Sequence, residues 1–389
     1  MSASSEPAPI QAKLGASPSD WQIRAKSFAG RLKLELIGSA RAHLLLTAVV
    51  LVYWAIADVV SQRLGVRQLS YLGVVRSGVE MLVVLYLGGL LIGYSLYVMV
   101  AVRPERLARY LWQGIASRAL TLPRIASILP VALLLPLVLS SYTSLKAAIP
   151  LINPYSWDPG LANFGHLLYG GHQAWEFLQP LMGHHFVTLL LNIVYNFWYF
   201  IVFIFIIWQI TNMSRPRLRM QYLVTWVLQW GLLGNLLATL MPSVGPAFYS
   251  RLVGGPDPYA PLIQYLRSVD IGQALWSIKT QDAMWQCYAD YGAQGACGIS
   301  AMPSMHVAIA FSSVLLSFAT NRWLGAVSAV FCALILIGSV HLGWHYASDG
   351  FVAIVGTWLI WRSVGWILDR PRVVQWQGIE PSVDGKPLT

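Results

Sequence analysis

The clearest candidates for chemistry are a histidine and an aspartate four residues apart, His345 and Asp349. On a helix this spacing places the two side chains on one face, one turn apart. A carboxylate that accepts a hydrogen bond from one ring nitrogen fixes the tautomer and makes the other nitrogen a better nucleophile. His341 lies four residues earlier and could donate to a phosphate or line the site.

A second histidine motif precedes this pair, in the run Pro303-Ser304-Met305-His306. Pro303 keeps the preceding residue out of the helical region, and Ser304 is a good helix N-cap. The helix that begins there would direct free backbone amides and its positive dipole end toward a site beside His306, which favours anions. A nucleophilic His345 facing His306 could therefore form a nucleophile and acid pair.

These residues also have a structural interpretation. A His or Asp near the end of a membrane helix can extend to the interface or bond a neighbouring helix. Ionisable residues within membrane spans are nevertheless costly and more often functional. Because three of them occur in two short motifs on the same side of the membrane, the functional interpretation is favoured.

The elements that must position these residues are membrane helices. Of 389 residues, 56% are hydrophobic and 11% are charged, whereas a soluble domain carries about 25% charged residues. The 17 Trp and 18 Tyr fit the aromatic belts of a membrane protein. The net charge of +10 is dispersed over short loops, which indicates orientation in a membrane and no nucleic-acid partner.

Crossing a hydrocarbon core of about 30 Å takes about 20 helical residues. Eight apolar stretches approach that length, so the sequence predicts an all-α, polytopic transmembrane bundle of about eight spans. The predicted spans are His43–Val60, Val79–Val102, Arg124–Leu145, His185–Ile210, Leu218–Met241, Ser304–Thr320, Trp323–Val340 and His345–Ile367.

Basic loops indicate the orientation, because cytoplasmic loops hold the excess of Lys and Arg. Clusters such as Arg215, Arg217 and Arg219 follow even-numbered spans, whereas one basic loop between the first two spans departs from the pattern. We expect a multi-pass protein of a bacterial plasma membrane, with both histidine motifs on the outer, periplasmic face.

The same pattern divides the chain into four parts. We expect a cytoplasmic N-terminal tail over residues 1–42, flexible up to about Ser19, and accessory transmembrane helices over residues 43–150. A catalytic membrane domain follows over residues 151–367, and a cytoplasmic C-terminal tail over residues 368–389.

Two long outer connections flank the motifs. Residues 152–184 are rich in Gly, aromatic residues and His, and predict an amphipathic helix in the interface. Residues 242–303 show weak periodicity and are too long for a plain connector, so they predict a cap over a site. Cys287 and Cys297 lie in this cap and could form a disulfide or remain two separate thiols.

Both motifs resemble those of a known family. Pro303-Ser-Met-His306 is similar to the Pro-Ser-x-His motif of the type 2 phosphatidic acid phosphatase superfamily, and His345-Tyr-Ala-Ser-Asp349 to its His-x-x-x-Asp motif. The spacing and the His-Tyr pair look like the inositolphosphotransferase branch, which includes inositol phosphorylceramide synthase. The resemblance covers roughly residues 242–356, strongly only 301–349, and implies the helical core of that superfamily.

The resemblance implies a role for each motif residue. His345 would attack phosphorus to give a phosphohistidine, Asp349 would orient it, and His306 would protonate the leaving oxygen. Ser304 would hold a phosphate oxygen. The implied substrate is a membrane lipid, the acceptor is an alcohol or water, and neither a metal nor another cofactor is implied.

Two superfamily features are incomplete here. The broader superfamily has a Lys-x6-Arg-Pro motif and an Arg six positions before its nucleophilic His. Arg215 precedes a proline but has Trp208 in the Lys position, so we interpret Arg215 as a topology anchor. The second Arg position is Ser339.

The outer turn at residues 242–246 is the expected substitute for these features, since the branch has a Pro-rich turn there. Arg251, which follows this turn, is the favoured phosphate ligand, with Arg267 and Lys279 as further outer candidates.

Three function classes follow. The first is a phosphotransferase that passes a phosphoryl or phosphoalcohol group from a lipid through His345 to an alcohol. The second keeps the site but uses water as acceptor, which makes a lipid phosphatase. The third is a membrane channel, carrier or scaffold without enzymatic activity, which only the number of spans suggests. The long cap and the branch resemblance favour transfer.

Overall fold

A computed structural model describes residues 18–68, 70–82, 88–119, 121–292 and 298–377. Structural statements below concern these residues. Most of the predicted C-terminal tail and Cys297 lie outside them. Cys287 is disulfide-bonded, and Cys332 is a buried free thiol.

The described residues form helices and no strand. The helices before the catalytic motifs are α1 Pro18–Ala42, α2 Leu44–Leu64, α3 Tyr71–Leu82, α4 Gly88–Tyr97, α5 Leu107–Ala119, α6 Leu122–Ile152, α7 Asp158–Leu168, α8 Ala174–Met182 and α9 His185–Thr211. The remaining helices are α10 Pro216–Leu228, α11 Ala238–Leu240, α12 Tyr249–Leu252, α13 Ala260–Ser268, α14 Trp276–Tyr291, α15 Met305–Phe318, α16 Arg322–His341, α17 Ala347–Leu368 and α18 Pro371–Gln377. A π-helical stretch, Gln229–Leu237, joins α10 to α11.

Among the described residues, six helical segments are long and apolar enough to cross a membrane. They are α2, α6, α9, the continuous segment from α10 to α11, α16 and α17. Each matches one of the predicted spans, although α6 extends beyond its predicted end, Leu145, to Ile152. The protein is therefore an integral membrane protein.

The other two predicted spans, and with them the count of eight, are not confirmed. Residues 79–102 comprise the end of α3, α4 and a π-helical stretch, Val98–Val102, and residues 83–87 lie outside the described part. α15 has 14 residues, and at 1.5 Å per residue it is about 21 Å long, shorter than the hydrocarbon core. α15 is therefore too short to cross the core by itself.

The predicted N-terminal tail contains a helix. α1 covers residues 18–42 and packs on α6, where the hydroxyl of Ser39 donates to the carbonyl oxygen of Ala126 at 2.6 Å. The predicted flexible region, up to about Ser19, therefore overlaps the start of a helix. The polar composition of α1 did not indicate that this helix packs on α6.

The two outer connections are mostly helical as well. The first contains α7 and α8, which expose apolar side chains such as Phe164, Leu167 and Leu181, as an interfacial helix would. The second contains α12, α13 and α14, so its weak periodicity concealed three helices.

α15 lies at the centre of the catalytic bundle. It packs against α9, α10, α16 and α17, and its residues Val307, Ala308 and Ile309 are completely buried. Because the start of α15, the end of α16 and the start of α17 meet at one end of the bundle, both histidine motifs are brought to that end.

Candidate active site

His345 lies in the connection between α16 and α17. α16 ends at His341, and Gly343 has a φ of +72°, which favours glycine and turns the chain before α17 begins at Ala347. The predicted common helix face for His345 and Asp349 is therefore wrong, because α16 ends before His345 and α17 begins after it. The predicted pair is still present: Nδ1 of His345 lies 3.3 Å from Oδ2 of Asp349.

Asp349 is held through its side chain and its backbone. Its Oδ2 accepts a hydrogen bond from the N–H of Tyr346 at 3.0 Å, and its carbonyl oxygen accepts one from the N–H of Ser304 at 3.2 Å. The carboxylate is completely buried, and His345 is 7% exposed. Because Nδ1 of His345 faces the carboxylate, Nε2 is the nitrogen left to attack a substrate.

His306 lies in the first turn of α15, whose start is capped as predicted. Oγ of Ser304 accepts from the N–H of Val307 at 3.5 Å. The imidazole packs against Tyr195 and Trp198 of α9, with ring centres 4.6 and 4.2 Å away. The indole N–H of Trp198 also donates to the carbonyl oxygen of His306 at 2.9 Å. These contacts hold the start of α15 and the imidazole against α9.

His306 and His345 form a histidine pair. Their ring centres are 6.4 Å apart, and their planes are inclined by 59°. At this distance the two imidazoles are close enough to act on one small substrate group, one as a nucleophile and the other as an acid. Within the described residues, no three His, Cys, Asp or Glu side chains group as a metal site.

Two other predicted binding residues have partners elsewhere. Nε2 of His341 shares a hydrogen bond of 2.9 Å with Oγ1 of Thr188, and the ring is completely buried. The guanidinium of Arg251 lies 3.8 Å from Asp282 and 4.7 Å from the ring centre of Trp285. No contact among the described residues joins either to the histidine pair, and their phosphate-binding roles stay predictions.

Asp158 at the start of α7 was missed as a site residue. Its completely buried carboxylate accepts from the hydroxyl of Tyr346 at 2.7 Å and from the N–H groups of Val244 and Gly245 at 3.0 and 2.9 Å. Burial raises the pKa of this carboxyl, and the hydrogen bonds offset part of the rise. The sequence does distinguish Asp158 in one respect, because it is the only acidic residue in residues 147–175.

The predicted turn at residues 242–246 joins the two motif segments. Gly245 has a φ of +82°, and a Cβ there would lie 2.7 Å from the carbonyl oxygen of Trp344. The carbonyl oxygen of Ser243 accepts from the N–H of Ala301 at 2.9 Å. Because two amides of the turn already bind Asp158, the turn holds the motifs together and does not offer those amides to a phosphate.

Lys146 was also missed, since the predicted span ended at Leu145. α6 continues to Ile152, and Lys146 lies partly buried where its charge interacts with His306. A side chain at Gly298 would collide with the backbone of Lys146, so the segment that leads to His306 packs directly on α6. Within the described part of the chain, no hydrogen bond or ion pair engages the ammonium group of Lys146.

The comparison with known families agrees with this geometry. The family model described as the PAP2 superfamily matches residues 159–363 of the 389, more than half of the chain. The chain belongs to the PAP2 superfamily. This confirms the type 2 phosphatidic acid phosphatase superfamily predicted from the motifs, whereas the inositolphosphotransferase branch stays a prediction. No curated protein and no solved structure matches the chain.

PAP2 superfamily membership supports a phosphatase or phosphotransferase activity on a lipid phosphate. The matched residues include the capping serine, the histidine pair and Asp349. Lys146 and Asp158 precede the match, although both approach the same site.

The PAP2 superfamily motif Lys-x6-Arg-Pro provides a sequence signal for Lys146. Asn153 and a proline follow Lys146 at the spacing of that motif, so Asn153 stands in the Arg position. Arg215, by contrast, donates to the carbonyl oxygen of Ala319 at 2.8 Å, at the end of α15 remote from His306. Lys146 is therefore the better match to the motif lysine.

Proposed function

We propose that the protein is a membrane phosphotransferase that takes a phosphoryl or phosphoalcohol group from a lipid and passes it through His345 to an alcohol. The observation that carries this proposal is the histidine pair, 6.4 Å apart between ring centres, with Asp349 behind His345. One imidazole then has the environment of a nucleophile, and the other has the position of a proton donor.

The reaction has two steps. Nε2 of His345 attacks phosphorus, the bond from phosphorus to the lipid oxygen breaks, and His306 protonates that oxygen. An acceptor alcohol then attacks the phosphohistidine, gives its proton to His306, and breaks the bond from phosphorus to nitrogen. Asp349 stabilises the positive charge on His345 while the phosphohistidine forms.

Two further groups would bind the phosphate. The ammonium group of Lys146 would neutralise charge on the non-reacting oxygens, because the segment that leads to His306 packs on α6 at Lys146 and no protein anion among the described residues pairs with the ammonium. The hydroxyl of Ser304 uses a lone pair as the helix cap, so its proton remains available to a phosphate oxygen.

Burial favours transfer over hydrolysis. The nucleophile is 7% exposed, and a site that excludes water protects a phosphohistidine until a bound alcohol arrives. This supports the inositolphosphotransferase branch, with water as acceptor being the alternative.

A polar cleft beside α7 supports a hydroxyl-rich acceptor. The cleft encloses about 350 Å³. Its lining offers polar groups from Asn163, His166, Gln173, Tyr249 and Asp257. Gln173 also lines the narrow cavity that reaches His345. The cleft and the cavity at the nucleophile therefore share Gln173 as a wall residue.

The orientation and the division of the chain also belong to this proposal. The site faces outward, which is periplasmic in a bacterial plasma membrane, and the catalytic domain is again proposed to begin at residue 151, with Lys146 added to the site from α6. A cysteine at exposed Ser268 should react with an impermeant maleimide in intact cells, and one at exposed Ser214 should not. The reverse labelling would place the chemistry in the cytoplasm.

The decisive assay uses purified protein with a lipid labelled in its phosphoalcohol group, with and without inositol or another alcohol. Transfer predicts a labelled product that depends on the alcohol and is lost in His345→Ala. Release of a water-soluble labelled phosphate regardless of the alcohol would show a phosphatase. No turnover and no labelled protein intermediate would contradict both enzyme hypotheses.

A further inference from the structure

Two buried hydrogen-bond donors beside the histidine pair have no partner. The hydroxyl of Tyr195 and the indole N–H of Trp344 are inaccessible, and neither bonds a described residue. Tyr195 is 3% exposed. Other buried side chains of the described part, among them Tyr222 and Trp230, also have an unpartnered polar atom, so these two donors are distinguished by their position beside the histidine pair.

Both side chains are packed into the site. The ring of Tyr195 stacks on His306 with centres 4.6 Å apart, and it lies 6.5 Å from the ring of Trp344 in nearly parallel planes, at 12°. Trp344 immediately precedes His345 in the chain. The donors therefore belong to side chains that contact one histidine of the pair or adjoin the other.

The chemistry of the two groups limits what they can bind. An indole N–H donates and cannot accept, and a phenol hydroxyl donates readily to an anionic oxygen. During transfer, a phosphoryl group carries negative charge on its three equatorial oxygens. In a site that excludes water, hydrogen-bond donors of the protein must stabilise this charge. The position in which the resemblance expects an Arg is Ser339, whose hydroxyl donates to the carbonyl oxygen of Leu336 at 2.7 Å.

We propose that Tyr195 and Trp344 bind the non-reacting oxygens of the phosphoryl group and supply neutral donors in place of the missing arginine. This inference rests on the proposed function and extends it to two named binding residues. The site then binds a phosphate ester through one cation, Lys146, and neutral donors.

The test uses Tyr195→Phe and Trp344→Phe in the full-length protein. The first keeps the ring that stacks on His306 and removes only the hydroxyl. Tyr222→Phe, at another completely buried tyrosine in α10, is the matched control. Each site variant should lower kcat/KM for the labelled lipid about 10- to 100-fold, the range expected for a hydrogen bond to a charged group.

A binding readout keeps this inference separate from the proposed function. Orthovanadate, a phosphate mimic, should raise the Tm of wild-type protein and of Tyr222→Phe, and the rise should shrink in both site variants. This result would support the donors even if no labelled lipid were turned over. Unchanged vanadate shifts in Tyr195→Phe and Trp344→Phe would overturn the inference, and so would unaltered kcat/KM. If Trp344→Phe does not fold, Tyr195→Phe decides alone.

Discussion

The two ends of the bundle differ in how they engage their cationic side chains. At the arginine end, defined by Arg215, Arg217 and Arg219, each guanidinium bonds protein groups. Arg219 donates to the carbonyl oxygen of Gln209 at 2.8 Å, and Arg217 makes two contacts of 2.6 Å with Asp369. At the histidine end, neither the ammonium of Lys146 nor the two orphaned donors bond a described residue.

This difference separates structure from function. A charged or polar group that the protein already satisfies stabilises the fold and has no free donor for a ligand. An unpaired hydrogen-bond donor beside the two histidines lowers the stability of the protein unless a ligand accepts its hydrogen bond. Under the proposed function, the arginine end anchors the fold and the histidine end binds phosphate, so substitutions at the two ends should have opposite consequences.

The largest expected effect is at the nucleophile. His345→Ala should abolish turnover, and Asp349→Asn should lower kcat by up to about 10⁴, the cost of replacing the orienting Asp in a serine-protease triad. Single-turnover assays with labelled lipid would measure both, with circular dichroism as a check on folding. Near-normal activity of a folded His345→Ala protein would refute the mechanism.

The next effect concerns the acid. His306→Ala should slow release of a poor alcohol leaving group by about 10² to 10⁴, the range of general acid catalysis. It should spare a nitrophenyl phosphate ester, whose leaving group needs no proton. Comparing the two substrates on the same variant tests this, since equal losses would show that His306 binds phosphate or maintains the structure.

Lys146→Met should lower kcat/KM by about 10² to 10³, the effect of removing one donor that stabilises developing charge. Lys146→Arg should restore part of the activity, because it keeps the charge. Lys33→Met, at an exposed position in α1, is the control and should remain active. If the two methionine variants behave alike, Lys146 does not bind phosphate.

Asp158→Asn should lower kcat by up to about 10²-fold, because it loosens Tyr346 beside the nucleophile and misplaces the reacting groups. Asp290→Asn, an exposed substitution in α14, is the control. Retained kcat in Asp158→Asn would show that its hydrogen bonds serve only the fold.

The same network predicts a dependence on pH. Burial raises the pKa of Asp158, and the hydroxyl of Tyr346 opposes that rise. Tyr346→Phe should therefore raise the pKa of Asp158 further. As the pH falls, Asp158 would then become protonated, and its hydrogen-bond network would be disrupted, at a higher pH than in the wild type. The acid limb of the kcat profile should move to higher pH than in the wild type, and an unmoved limb would disprove the link.

The smallest effect on catalysis is expected at the arginine end. Arg219→Gln removes charge-assisted hydrogen bonds to buried carbonyl oxygens, so it should destabilise the protein by about 1 to 3 kcal/mol. The kcat/KM of the folded fraction should remain that of the wild type. Thermal unfolding in detergent and an assay normalised to folded protein would measure both, and a selective loss of kcat/KM would remove the distinction between the ends.

Local sequence predicted part of this site for the right reason and part for the wrong one. The cap at Ser304 follows from residue preference at a helix start and is present. The contact between His345 and Asp349 is also present, but across a turn and a helix start, since a four-residue spacing does not specify a continuous helix. The ring contacts of His306 with Tyr195 and Trp198 could not be predicted, because they depend on how α9 packs against α15.

The sequence by itself determined the membrane character, six of the spans, the superfamily and the two motifs, because hydropathy and motif spacing are read within short stretches. Only the tertiary structure decided which donors are satisfied and which are free. Asp158 meets Tyr346, and Lys146 approaches His306, across long stretches of chain. Such contacts depend on how the helices pack, and no local periodicity encodes them.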